Sequence, residues 1–260
     1  MFVLDNSKKL DIKNPTYKRA VELYVWQSYL QDLGSGDATS NMFLKTGQKK
    51  VTAQIVANES FVLAGIQEAK WFLGRVGIQI VSAMKDGSHV KKGALLMKMS
   101  GDPKKILSAE RTLLNLLQRM SGVATATNKF ISLLPKNIKL LATRKTLWGM
   151  LDKRAVSVGG GCTHRLNLDD AILVKENHQS LSTDRTLDFK RVLRYAKDVG
   201  FIEIELQSEK DVKWLLKNFS NPDSCIPVVA MLDNITPQQV KKFTPLLKKS
   251  GYILIRCSGD

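Results

Sequence analysis

No stretch of this 260-residue chain approaches the ~20 consecutive apolar residues a membrane helix needs. The longest runs are short, such as AILV at 171–174 and IPVVAML at 226–232. The first fifteen residues, MFVLDNSKKLDIKNP, lack the basic, apolar and small-residue order of a signal peptide. Cysteine is scarce. Cys162, Cys225 and Cys257 stand far apart with no C-x-x-C, an odd set without metal spacing, so reduced thiols in a cytoplasmic protein are expected. No G-x-G-x-x-G follows a candidate strand, which argues against a dinucleotide-binding sheet. Acidic residues are also few: 24 Asp and Glu face 40 Lys and Arg, a formal charge of +16. The cations fall in scattered pairs near turns and helix ends, with no long basic block and no RNA-binding aromatic signature. The excess therefore suits anionic small substrates, and neither specific nucleic-acid binding nor membrane association is expected.

What is present is the balance of a globular protein, 43% apolar and 25% charged, in a chain long enough for one large domain or two modest ones. Residues 15–32 carry helical periodicity up to Leu33-Gly34, and the Gly-punctuated LGSGDATS reads as a loop. VTAQIVAN and GIQIVSAM read as strands around a helix at IQEAKWFLGRV, then come the turn KDGS, with His89 exposed beside it, and a strand in KKGALLMKMSGD. Residues 106–134 read as a long helix with a break near Ser121-Gly122, and with Arg111 beside Glu110 as a surface ion pair of small value. Beyond it strands and helices alternate. Strands are expected at IKLLAT from 138, AILVK from 171, FIEIEL from 201, PVVAML from 227 and YILIRC from 252. Helices lie between them, the last opening with Thr236 as N-cap and Pro237 at N1. The expected architecture is α/β: an α+β domain over residues 1–105, then an α/β barrel domain over 106–260 with parallel strands and right-handed crossovers.

Active sites of such barrels lie at the C-terminal strand ends. Those ends carry Arg144 and Lys145, then Lys175, Glu176, Asn177 and His178. They continue with Asp233 and Asn234, and finish with Arg256, Ser258 and Gly259. Glu203 and Glu205 share one face of their strand by alternation. Arginine forks and lysine point charges around carboxylates suit a strongly anionic, phosphorylated substrate with a divalent metal such as Mg²⁺. Ser258-Gly259 resembles the phosphate-holding turn such barrels place late. A run of three glycines, GGGCTHR at 159–165, precedes a thiol, a hydroxyl, an imidazole and a guanidinium, which calls for a tight turn or close backbone approach.

At these residues the chain resembles the quinolinate phosphoribosyltransferases. The similarity runs through DLGSGDATS at 32–40, VLAG at 62–65, KDGSHVKKG at 85–93 and ERTLLNLLQRMSGVAT at 110–125. It continues through TRKT at 143–146, GGGCTHRLNLDDAILVKENH at 159–178, IEIEL at 202–206, MLDN at 231–234 and SG at 258–259. The resemblance implies an N-terminal α+β sandwich domain followed by an incomplete, TIM-like α/β barrel. It implies transfer of phosphoribose from phosphoribosyl pyrophosphate to quinolinate with decarboxylation, giving nicotinate mononucleotide for NAD synthesis. Arg144, His164, Arg165 and Lys175 would surround the quinolinate carboxylates, and Arg111 would enter from a neighbouring subunit of a homodimer or larger homo-oligomer with a shared site. Lys145 would face phosphoribosyl pyrophosphate, Glu205 and Asp233 its ribose and Mg²⁺-bound groups, and Ser258-Gly259 a phosphate, with no organic cofactor.

The chain departs from the family pattern at Ala142, Leu147 and Trp148, where the family has Asp, Thr and Pro. Arg256 and Cys257 stand where a Glu-Ala pair is usual, and the chain ends at Asp260 where the family continues through another strand and helix, so a truncated C-terminal end is expected. These departures leave open a catalytically weakened member serving in binding or assembly, and a relative of the molybdenum-transport-associated ModD proteins.

Overall fold

The computed structural model describes residues 3–45, 47–196, 198–219 and 226–256. The chain divides into two compact units, one over Asp5–Leu166 and one over Asn167–Asp260 with Met1–Leu4.

The first unit opens on α1 (Pro15–Val21), where the Asn14 side chain accepts the backbone N–H groups of Thr16 and Tyr17 and Pro15 takes N1. The helix continues through a π turn, Glu22–Trp26, into α2 (Gln27–Leu33), and stops at Gly34 with φ +54°. Tyr17, Val21, Val25 and Tyr29, four residues apart, are the face it buries. The glycine-punctuated segment that follows is not all loop. Asp37 accepts the Ser40 N–H and starts α3 (Ala38–Phe43). The glycines at 34 and 36 mask a cap signal that was present in the sequence.

β1 (Val51–Val56), β3 (Gln79–Ala83) and β5 (Leu95–Gly101) form an antiparallel sheet in the order β1-β5-β3, while β2 (Phe61–Val62) pairs with β4 (His89–Val90). α4 (Ile66–Val76) packs on β3 and on α5 (Pro103–Ser132), around a core that includes Phe72, Leu73, Met97, Leu116 and Met120. α5 runs unbroken through Ser121-Gly122. The Ser121 hydroxyl bonds the N–H and the C=O of Ala64 rather than breaking its own helix, and Gly122 faces open space. α6 (Met150–Val158) packs against α5. The strand expected at 138–143 is reduced to one parallel bridge between Leu141 and Cys162, made by the Cys162 N–H to Leu140 and the Ala142 N–H to Cys162.

One carboxyl of this unit is fully buried. Glu68 on α4 accepts the Tyr17 hydroxyl at 2.6 Å and the Gln67 amide at 3.1 Å, while among the described residues its Oε2 has no partner. Burial pushes its pKa up and Asp86 adds to this, against the Tyr17 hydrogen bond. A carboxyl with a raised folded pKa stabilises the fold fully below its unfolded value near ~4.3 and loses that contribution as pH rises through the folded value. The wild-type fold is therefore expected to lose stability against Glu68→Gln on going from pH 5 to pH 9 in urea titrations. A wild-type-minus-variant difference equal at both pH values would contradict this.

The second unit is a parallel sheet in the order β6-β7-β8-β9, built from Ile172–Val174, Ile202–Leu206, Val228–Leu232 and Ile253–Arg256. Every residue of β7 and β8 is buried, the pattern of a sheet covered on both faces. Between strands run α7 (Glu176–Ser180), α8 (Arg185–Tyr195), α9 (Glu209–Asn218) and α10 (Pro237–Lys249), the last with Thr236 accepting the Gln239 N–H. The sheet is mixed into an α/β layer as expected, and among the described residues it does not close into a barrel.

Candidate active site

The TRKTLW loop is short and heavily held. The Thr146 N–H bonds the Arg144 carbonyl at 3.0 Å, an i→i+2 closure that puts Lys145 at the apex of a three-residue turn. Arg144 and Lys145 are both exposed there. The loop is anchored by Asp152 on α6, a residue no sequence pattern marked. Its carboxylate accepts the Thr146 hydroxyl in a short bond, the Trp148 N–H at 3.1 Å and a two-pronged Arg119 guanidinium at 2.9 and 2.7 Å. Burial raises the Asp152 pKa, but the bonds from Arg119, Thr146 and Trp148 outweigh it and hold the carboxyl below its ordinary value. Trp148 stands where the resembled pattern has proline, and proline has no N–H with which to make this bond. Its ring is taken up between the Arg119 guanidinium, 5.1 Å away, and Tyr24, stacked at 6.3 Å.

The three glycines do three different jobs. A Cβ on Gly159 would lie 2.4 Å from the Ala124 carbonyl oxygen of α5, Gly160 adopts φ +98°, and a Cβ on Gly161 would lie 2.7 Å from Val156. The run thus lets the chain graze α5, reverse, and pass close to α6. Beyond it Thr163 is fully buried and tied on all sides. Its N–H bonds Asp5 at 3.2 Å, its hydroxyl accepts the Asn6 N–H at 2.7 Å, and its carbonyl accepts Lys153 Nζ at 2.8 Å. His164 follows with φ +55°, one of two described non-glycine residues in the left-handed region, and is half-buried; Arg165 is 6% exposed. The Cys162 thiol is buried, which pushes its pKa up.

Arg111 lies on α5, exposed and, among the described residues, without the expected Glu110 ion pair. It lines a cavity of about 440 Å³ together with Tyr24, Asp32, Asn115 and Trp148.

In the second unit the strand ends converge. Glu205, 7% exposed on β7, accepts Gln207 Nε2 at 2.6 Å, and its backbone carbonyl accepts Gln179 at 2.9 Å. Burial raises its pKa; the Gln207 bond opposes this, the neighbouring Asp233 carboxyl raises it further, and Lys175 pulls it down. Lys175, Glu205 and Asp233 therefore form one interacting group. Asp233 directly follows β8, its N–H bonding the Leu206 carbonyl at 3.1 Å, and Asn234 takes φ +53°. Lys175 is exposed before α7, where its N–H is received by His178 Nδ1 at 3.1 Å. Glu203 shares the β7 face with Glu205 and is 1% exposed. Ser258 and Gly259 lie outside the described residues, as does the side chain of Arg256.

The two carboxylates Glu205 and Asp233 fit a Mg²⁺ that takes most of its ligands from phosphates and water and one or two from protein. Among the described residues no group of three or more His, Cys, Asp or Glu could form a protein-only cage. Each unit by itself offers part of a chemistry, the first an array of cations suited to carboxylates and phosphates, the second an acidic pair suited to a centre that becomes positive.

Known proteins resemble the chain over most of its length. Residues 37–121 match the model of the quinolinate phosphoribosyl transferase N-terminal domain and residues 123–260 that of its C-terminal domain. The nicotinate-nucleotide pyrophosphorylase (carboxylating) of Mycobacterium leprae is 31% identical over 260 residues, covering 94% of this chain and 86% of its own. The probable enzyme of the same name from Methanothermobacter thermautotrophicus is 30% identical over 236 residues, 88% and 82% of the two chains. Among solved structures, NadC from Streptococcus pyogenes superposes with a TM-score of 0.79 at 27% identity, over 92% of this chain and 84% of that one. The nicotinate-nucleotide pyrophosphorylase from Francisella tularensis gives 0.78 at 27% identity over 92% and 91%.

Proposed function

The chain belongs to the quinolinate phosphoribosyltransferase family, and from that membership we propose how its own residues divide the work. The reaction is pentosyl transfer with decarboxylation: quinolinate and phosphoribosyl pyrophosphate give nicotinate mononucleotide, CO₂ and pyrophosphate, a step of NAD synthesis. The observation that carries the assignment is the ordered set of cations at rigidly held turns, Arg144 and Lys145 at one and His164 and Arg165 at another.

Arg144, His164, Arg165 and Lys175 are assigned to the quinolinate carboxylates. A guanidinium can take one carboxylate with two parallel bonds, while an imidazole can donate an N–H to it whether neutral or protonated. Lys145 is assigned to the pyrophosphate of phosphoribosyl pyrophosphate, where its charge offsets that gained by the leaving group. Glu205 and Asp233 are assigned to the ribose, whose C1′ becomes oxocarbenium-like as the bond to pyrophosphate lengthens and the ring nitrogen approaches. Mg²⁺, held by the substrate with Glu205 and Asp233, would supply further neutralisation of the pyrophosphate oxygens. Once the nitrogen–carbon bond has formed, the ring nitrogen is cationic. The electron pair of the breaking carbon–carboxylate bond flows toward it as CO₂ departs, and a proton takes the vacated position. No organic cofactor is needed for either half.

Arg111 is assigned to the quinolinate of a second copy of the chain, which makes the working form a homodimer or larger. Its exposure and lack of an ion-pair partner among the described residues support that role. Ser258 and Gly259 are assigned to a phosphate. No helix among the described residues is long and apolar enough to cross a membrane, and a cytoplasmic location goes with the metabolic role.

The test is direct. The pure protein is incubated with quinolinate, phosphoribosyl pyrophosphate and Mg²⁺, and nicotinate mononucleotide is quantified, with a Mg²⁺-free reaction beside it. Product that depends on both substrates and on Mg²⁺ is expected. Quinolinate binding without turnover would instead favour the binding or assembly role that Arg256 raises.

A further inference from the structure

α6 begins directly after the TRKTLW loop and ends at the three glycines, so it stands between the two turns that carry Arg144, Lys145, His164 and Arg165. Two consecutive residues on it, Asp152 and Lys153, are 7% and 2% exposed. Neither is spent on solvent. Consecutive helical residues point about 100° apart, so one pair can serve two separate chain segments. Asp152 receives Thr146 and Trp148 of the first turn, and is itself fixed by the forked Arg119 of α5. Lys153 Nζ meets the Thr163 carbonyl, the last backbone acceptor before His164.

We propose that Asp152 and Lys153 are a positioning pair, Asp152 setting the turn that carries Arg144 and Lys145 and Lys153 setting the turn that carries His164 and Arg165. Burying a carboxylate and an ammonium is costly where apolar side chains could fill the same space. Here each charge ends on a polar atom of a turn whose neighbouring residues are cationic and directed to substrate. The inference rests on the substrate roles assigned above.

Those roles give the pair a signature that simple structural support would not produce. The Lys153 turn bears only residues assigned to quinolinate, whereas the Asp152 turn also bears Lys145, assigned to phosphoribosyl pyrophosphate. In Lys153→Met, KM for quinolinate is expected to rise about 10-fold or more with KM for phosphoribosyl pyrophosphate little changed. In Asp152→Asn, kcat is expected to fall and KM for phosphoribosyl pyrophosphate to rise, together about 100-fold in kcat/KM, the scale of a displacement near 1 Å at a reacting centre. Lys153→Arg keeps the charge but puts a longer, planar guanidinium into a buried site that fits an ammonium, shifting the Thr163 carbonyl. It should show the same quinolinate-selective defect if Lys153→Met does not fold.

The deciding measurement is steady-state kinetics in both substrates, with Lys145→Ala and His164→Ala as reference variants and Asp152→Asn combined with Lys145→Ala. If Asp152 acts through Lys145, its effect on phosphoribosyl pyrophosphate largely disappears in the double variant. Defects of Asp152→Asn and Lys153→Met that fall equally on both substrates, that are absent, or that add in full to Lys145→Ala would overturn the positioning pair while the reference variants stay impaired. Reference variants as active as wild type would bring down the site assignment itself, and the pair with it.

Discussion

Lys145→Ala is expected to reduce the rate of nicotinate mononucleotide formation by about 10²–10³-fold, the usual cost of removing one preorganised charge-stabilising group, without lowering thermal stability. The two halves of that expectation have separate grounds. Lys145 is exposed at the apex of a three-residue turn, and the bond it contributes to the loop is from its backbone N–H to Thr143 Oγ1 at 3.1 Å, which alanine keeps. The loop is held instead by Asp152 through Thr146 and Trp148, and none of those groups is touched. What is lost is a cation assigned to the leaving pyrophosphate. Chemistry should therefore slow more than quinolinate binding weakens, and titration of quinolinate into the variant should give nearly the wild-type dissociation constant. A variant within twofold of wild-type turnover at saturating substrates would remove Lys145 from the mechanism.

The second large effect is on the fold. Gly159→Ala is expected to destabilise the protein by about 3 kcal/mol, the upper part of the range for overpacking. The new methyl would meet the Ala124 carbonyl oxygen at 2.4 Å and Thr127 Cβ at 2.8 Å. Both belong to α5, and a backbone oxygen in a helix cannot swing aside as a side-chain end can. For a chain of this size the loss corresponds to roughly 6–12 °C in melting temperature. Because Gly159 opens the turn that leads to His164, quinolinate affinity should fall alongside. Gly122→Ala is the natural control: that glycine is exposed within α5 with open space around it, so alanine should stabilise by about 0.5–1 kcal/mol. Equal melting temperatures for the two variants would show that the close approach at Gly159 relaxes freely.

Much of the architecture could be read from local pattern. The FIEIEL segment, with glutamates at alternate positions, and the apolar PVVAML segment became the two buried central strands, and Thr236-Pro237 did open α10. Glu205, Asp233 and Lys175 were legible as strand-end residues because alternation and strand length alone put them there. Legibility failed where the deciding partner was distant in the chain. The segment at 138–143 has strand composition, but its available neighbour is the glycine-rich turn, which supplies one bridge and no ladder. The continuity of α5 depends on Ser121 finding Ala64, 57 residues away. Asp152 and Lys153 carry no signature either. Their meaning comes from Arg119, Thr146 and Thr163, which no helical or strand period connects to them.

The two larger sheets also differ in when they can exist. In the parallel sheet, neighbours in space are neighbours in sequence, β6-β7-β8-β9, so each strand emerging from a ribosome meets a partner that is already made. The antiparallel sheet is ordered β1-β5-β3, with its middle strand the last of the three to be synthesised. β1 and β3 have nothing to join them until residue 101 is out. At about 5–20 residues per second, roughly 50 residues of chain then wait several seconds as unpaired edges. The N-terminal half is thus assembled in one late closure and the C-terminal half by successive addition, a difference in timing written into strand order alone.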